Sequence, residues 1–147
     1  SPLSDGAAAL VVTSRAFAEE KGLTILATVG APGQTAGPDS SQLHSQPSDA
    51  IAAAVRKQGW DVADLDFIEI NEAFGAVAVQ SLRDLGADPA KVNVHGGAIA
   101  LGHPIGATGA RLMTSLLHEL ERSGGRYGLQ TMCEGGGQAN VTVIERL

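Results

Sequence analysis

Glycines cut this chain into alternating lengths, and that alternation limits the fold more than any single residue does. Short apolar runs are followed by helix-length stripes that stop at Gly22, Gly59 and Gly86, where the left-handed conformation that ends a helix costs least. Residues 7–12 form a small, largely apolar run without polar alternation, as expected of a strand buried on both faces. Ser14 is placed to cap the helix that follows. Residues 23–29 read as a second strand, and residues 30–47, rich in Gly, Pro, Ser and Gln, as a long surface loop.

A helix opened by Ser48, with Ile51 and Val55 on one face, ends at Gly59. Residues 65–70 then read as a strand, and the segment carrying Val79, Leu82 and Leu85 as a helix. A short strand at 92–94 leads through glycines to a long helix whose apolar stripe is Ile105, Leu112, Leu116 and Leu120. Tyr127, Leu129, Thr131 and Cys133 share one side of a strand, and Gly135-Gly136-Gly137 permits a tight reversal into a last strand over 139–144. Strand-helix repetition ending in a hairpin predicts an α/β fold, a mixed sheet covered by helices.

The 147 residues suffice for one globular domain with its own core. Ten basic against sixteen acidic residues give a net charge of -6, and the basic side chains are scattered singly. A clustered basic footprint for nucleic acid is therefore excluded. No stretch approaches the ~20 apolar residues of a membrane span. One cysteine cannot form an internal disulfide, which is compatible with a reducing, cytoplasmic setting. The first residues lack the positive region of a signal peptide. A chain that begins without Met and enters an apolar run almost at once reads as starting inside a larger fold.

Polar residues capable of chemistry fall at element ends: Asn71 after a strand, His103 before the long helix, Cys133 at a strand end, and the Gly135 amide just beyond it. Such ends are where open α/β sheets place ligand groups. Cys133 is either a small buried hydrophobe or a thiol whose proton is made mobile by an imidazole or amide dipole. The glycines beside it leave backbone N–H groups uncovered, as an oxyanion requires. His103 caps its helix, fills a polar niche of the core or, aimed by Pro104 in a first helical turn, donates to a thioester carbonyl. Asn71 is a helix cap or the holder of an oxyanion-donating water. Glu72 is a first-turn acid favoured by the helix dipole or a group positioning His103 and water. His95 and His118 read as a loop residue and a solvated helix residue. The string Gly102-x-x-x-Gly106-x-x-Gly109 is not a dinucleotide fingerprint, and no P-loop or metal-ligand spacing occurs.

Three strings together resemble the thiolase family of acyl-CoA C-acetyltransferases: Asn71-Glu72-Ala73-Phe74, the run Gly96-Gly97-Ala98-Ile99-Ala100-Leu101-Gly102-His103-Pro104 continuing to Arg111, and Cys133-Glu134-Gly135-Gly136-Gly137. The resemblance runs from Asp5 to Leu147 and covers about the last third of a thiolase. It implies a thiolase-like C-terminal domain over residues 23–147 with a five-stranded mixed sheet, and over residues 1–22 a remnant of the N-terminal domain, its last strand and helix. It further implies reversible Claisen condensation or thiolytic cleavage of 3-ketoacyl-CoA in the complete protein, with coenzyme A and acyl-CoA as substrates and no tightly bound cofactor.

By the same resemblance Cys133 is the acid/base, and His103 activates a nucleophilic cysteine and contributes to an oxyanion hole. Asn71 holds a water of that hole, and the Gly135 amide donates to a second one. The nucleophile itself lies in the missing N-terminal half or on a complementary chain, so this chain alone is expected to be inactive. The full protein is expected to form homo-oligomers. Glu134 departs from the small or aliphatic residue common at its position. The competing expectation is a non-catalytic thiolase-like subunit that supplies a dimerising or acyl-CoA-binding surface.

Overall fold

The computed structural model describes residues 1–147, apart from the side chain of Ser40. Its elements are α1 (Arg15–Glu20), β1 (Ala27–Val29), β2 (Gly33–Ala36), α2 (Gln46–Gln58), β3 (Phe67–Ile70), α3 (Gly75–Leu85), α4 (Ala98–Leu101), α5 (Thr108–Ser123), β4 (Tyr127–Glu134) and β5 (Gln138–Arg146). The strands form one five-stranded sheet in the order β1-β5-β4-β3, with β2 also paired to β5. Only β3 and β4 run parallel; β5 is antiparallel to β4, β1 and β2. The mixed sheet covered by helices is therefore as the residues predicted.

Two apolar layers hold it together. On one face, Ala50, Ile51, Ala54 and Val55 of α2 and Val77 of α3 meet Ile68, Ile70, Leu129, Val141 and Val143 of the sheet. On the other, Leu116 and Leu120 of α5 close over Ile144 and Phe67. Leu112, Leu116 and Leu120 are fully buried, and burial of each contributes about 1.5–3 kcal/mol. Trp60 and Tyr127 pack with ring centroids 4.4 Å apart and planes tilted by 45° at the edge of the first layer. The caps agree with the sequence: Ser14 Oγ accepts from Phe17 N at 3.2 Å, and Gly59, Gly86 and Gly124 end their helices in the left-handed region.

Several local expectations are corrected. Residues 7–12 form no strand and are exposed, Val11 to 88%, because no strand in this chain pairs with them. The second strand is confined to Ala27–Val29, the part that reaches β5. The supposed loop 30–47 contains β2, whose polar residues are strand only because β5 supplies the ladder. Its Gly33 lies where a Cβ would overlap the Ala50 carbonyl, so α2 can cross close above it. The helix expected from Ser48 starts earlier, at Gln46 after Ser45, with Pro47 in its first turn. In α3 the buried residues are Val77 and Ser81, and Val79 is exposed.

At 92–94 a single parallel bridge, Ile68 to Val92, replaces the expected strand, because Asn93 turns the backbone to φ 48. Ile105 lies outside α5 and is 82% exposed. The Pro104 carbonyl accepts from Ala107 N and Thr108 N, both at 2.9 Å, so residues 104–107 make a turn and the helix begins only at Thr108.

Candidate active site

The parallel pair β3 and β4 ends in the sequence-predicted residues. Asn71 follows β3 directly, and its N–H donates to the Thr131 carbonyl of β4 at 3.0 Å. Cys133 lies two residues farther along β4, on the side chain face of Leu129 and Tyr127 and against the first core layer. The β4–β5 ladder closes at Glu134 opposite Gln138, leaving Gly135, Gly136 and Gly137 as the turn. Around Gly135 nothing lies within 4 Å of where a Cβ would stand, so its surroundings are open.

His103 comes to this edge from the other direction. The turn closed on Pro104 O brings the ring to Thr108 and Asn71: Nδ1 lies 2.7 Å from Thr108 Oγ1, and Nε2 lies 3.3 Å from Asn71 Nδ2. Asn71 is buried, at 1% exposure, and its Oδ1 has no hydrogen-bond partner among the described residues. Burial, with the Arg111 guanidinium as the next cause, pushes the His103 pKa below the usual imidazole value. Burial thus favours the neutral form of the ring.

Glu72 does not reach for His103. One carboxylate oxygen accepts from Asn93 Nδ2 at 3.0 Å and the other from Ile99 N at 3.0 Å. The acid thus ties the end of β3 to the first turn of α4, next to the His103 turn. Gly97 makes this possible, since a Cβ there would overlap the Glu72 carboxylate. Ser4 and Gly6 lie against the same loops: Ser4 abuts Gly102, and Gly6 packs under Pro104.

Burial raises the pKa of the Cys133 thiol, its own backbone amide opposes the rise, and the neighbouring Glu134 charge adds to it. The thiol is protonated at neutral pH in this setting. Glu134 is also bonded by Asn140 Nδ2. A groove of about 350 Å³ lies between β2 and the hairpin, lined by Gln34, Thr35, Glu134 and Asn140 among others, and neither His103 nor Asn71 borders it.

A polar layer lies between β3 and α5. Glu69 is 3% exposed, and its Oε2 has no hydrogen-bond partner among the described residues. Desolvation raises its pKa to about 7 despite the opposing charges of Arg111 and His95. His95 is no bystander of the loop: its Nε2 lies 2.8 Å from Glu119 Oε2, while Arg122 holds the same carboxylate through two bonds. Those bonds, the Arg122 pair first, lower the Glu119 pKa to about 2. His118 is solvated, near Glu121. Among the described residues no group of three or more His, Cys, Asp or Glu side chains is gathered to hold a metal.

A family model described as "Thiolase, C-terminal domain" matches residues 23–146. This chain belongs to the thiolase family. It is 55% identical over 146 residues, 99% of its length, to a probable acetyl-CoA acetyltransferase of Mycolicibacterium smegmatis, covering 37% of that protein. It is 52% identical over its whole length to the steroid 3-ketoacyl-CoA thiolase FadA6 of Mycobacterium tuberculosis, covering 36% of it. The crystal structure of human mitochondrial 3-ketoacyl-CoA thiolase superposes on 91% of the chain with a TM-score of 0.87 at 39% identity, using 34% of the human chain. The thiolase segment described here thus spans just over a third of the length of these relatives.

Asn93 and Thr108 escaped the sequence reading of this thiolase segment. Asn93 could have been suspected as an Asn shortly before paired glycines, since Asn tolerates φ > 0. Thr108 gave no signal, because its hydroxyl acts on a ring five residues back through a turn that the sequence read as helix.

Proposed function

We propose that the complete protein carrying this segment is an acyl-CoA C-acetyltransferase that condenses or thiolytically cleaves 3-ketoacyl-CoA. The observation that carries the reading is the contact of the Asn71 amide with His103 Nε2 at the end of β3, beside the strand that bears Cys133. In the cleavage direction a cysteine from the remainder of the protein gives its proton to His103 and attacks the 3-keto carbonyl. The C2–C3 bond breaks, the acyl group stays on that sulfur, and the acetyl-CoA enolate leaves.

Cys133 protonates the enolate carbon, a role suited to a thiol held protonated by burial. The enolate oxygen is stabilised by His103 and by a water on Asn71, whose buried Oδ1 is a ready acceptor for that water. The Gly135 amide, in its open turn, donates to the carbonyl oxygen of the acyl-sulfur bond. Coenzyme A then attacks the acyl carbon, its thiol proton passing to the Cys133 thiolate, and the S–C bond to the other cysteine breaks as that sulfur takes back its proton from His103. Glu72 serves by fixing the two loops to each other.

The division into residues 1–22, belonging with the N-terminal half, and residues 23–147, the C-terminal domain, is part of this reading, as are a homo-oligomeric full protein and a cytoplasmic setting. No helix among the described residues is long and apolar enough to cross a membrane.

The test is the complete protein assayed with acetoacetyl-CoA and coenzyme A. Cys133→Ala should depress turnover by roughly 100-fold or more, and wild-type turnover in that variant removes the assigned role. The 147-residue chain alone should not turn over, and measurable catalysis by it contradicts the split site.

A further inference from the structure

We infer that Thr108 is a positioning residue that holds His103 as the Nδ1–H tautomer and keeps Nε2 a bare acceptor facing Asn71. The inference deepens the proposed function, because it rests on reading His103 as the base of that site. It follows from proton counting on two sides of one ring.

Thr108 Oγ1 carries a single proton. It lies 2.9 Å from the Pro104 carbonyl and 2.7 Å from His103 Nδ1. A carbonyl can only accept, so the hydroxyl proton goes to Pro104 O. The bond to the ring must then be made by a proton on Nδ1. Across the ring, Asn71 Nδ2 lies 3.3 Å from Nε2 with N–H protons to donate, and a bare Nε2 is the acceptor that matches it. The Thr108 side sets the tautomer by proton count, and the Asn71 contact is served by the same one. Thr108 is fully buried, so water does not readily substitute for its hydroxyl.

The chemical consequence lies at Nε2. When a thiol delivers its proton, the S–H bond breaks, an N–H bond forms at Nε2, and the ring becomes an imidazolium whose Nδ1–H still donates to Thr108. Without the hydroxyl the ring is free to carry its proton on Nε2, where it has no lone pair for the thiol. A fixed tautomer set by the second nitrogen's partner is how a base of this type is kept ready.

The experiment uses the complete protein with ¹⁵N-labelled histidine. The His103 ring signals are assigned by their loss in His103→Asn. Wild type and Thr108→Ser should show protonated Nδ1 and bare Nε2, and Thr108→Val should shift toward Nε2–H. A wild-type ring protonated on Nε2, or an unchanged ring in Thr108→Val, overturns the inference. In steady-state assays Thr108→Val should lower kcat by about 10- to 100-fold with KM little changed, and Thr108→Ser should restore most of it. Full kcat in Thr108→Val also overturns it. Should the ring behave as expected in a protein without acyl-transfer activity, the tautomer assignment stands and the proposed function falls. The wild-type measurement needs no variant to fold, so a misfolded Thr108→Val leaves the test intact.

Discussion

Asn93 pairs with Ile70 through two hydrogen bonds, Oδ1 accepting from Ile70 N at 2.8 Å and Nδ2 donating to Ile70 O at 2.9 Å. A side chain thus completes the ladder at the last residue of β3, just before Asn71. It does so from a backbone at φ 48, a conformation that costs most residues about 1–2 kcal/mol. The same Nδ2 also donates to Glu72.

Asn93→Ala should therefore lower stability by about 1–3 kcal/mol, through unpaired Ile70 groups and a strained backbone. Asn93→Gly relieves the backbone and not the bonds, and should fall between wild type and Asn93→Ala. Urea midpoints at constant m decide this; equal midpoints for wild type and Asn93→Gly would refute the pairing as a stabilising feature.

Glu69 makes stability depend on pH in a direction opposite to that of a salt-bridged carboxylate. Its pKa is raised from 4.5 to about 7, so between those values the folded chain binds more protons than the unfolded one. Stability from this group is full below about pH 4.5 and is lost as pH rises through about 7. The loss is on the order of 3 kcal/mol at most. Glu69→Gln should flatten the slope between about pH 5 and about pH 8, and an unaltered slope in urea titrations would sink the assignment.

Glu134→Gln should lower the pKa of the Cys133 thiol, since the carboxylate is one of the causes that raise it. Burial, the larger cause, remains in the variant. The midpoint of iodoacetamide alkylation against pH reads this directly; a midpoint that stays put or moves upward shows that the Glu134 charge does not reach the sulfur.

Gly97→Ala should displace the Glu72 carboxylate and cost roughly 1–3 kcal/mol. In a Glu72→Ala background the same change should cost much less, because its obstacle is gone. A double-mutant cycle gives the coupling, and strict additivity would mean that the close approach carries no energy.

Much of this architecture was legible because its signals are local. Glycines in left-handed caps, the Ser14 cap, the Leu112, Leu116 and Leu120 spacing and the hairpin turn each depend on residues near in sequence. What escaped reading depends on partners far along the chain. β2 is a strand only through β5, and residues 7–12 have strand composition with no partner strand to pair with. Asn71, His103 and Cys133 were readable as candidates from their positions at element ends. Asn93 and Thr108 were not, since a side chain that completes a distant strand or sets a ring tautomer leaves no periodic trace. Pro104 misled for the related reason that a proline suits both the start of a helix and the turn before one.

In the reaction proposed above, the Asn71 amide, 3.3 Å from His103 Nε2, and the incoming sulfhydryl compete for one nitrogen. With the amide at Nε2 and the Thr108 hydroxyl at Nδ1, the imidazole is held from both sides. In the proposed reaction the arriving sulfhydryl displaces the amide from Nε2, while Asn71 Oδ1 still holds the water of the enolate side. On that proposal, entry of the reactant and release of the imidazole from its resting partner are one event.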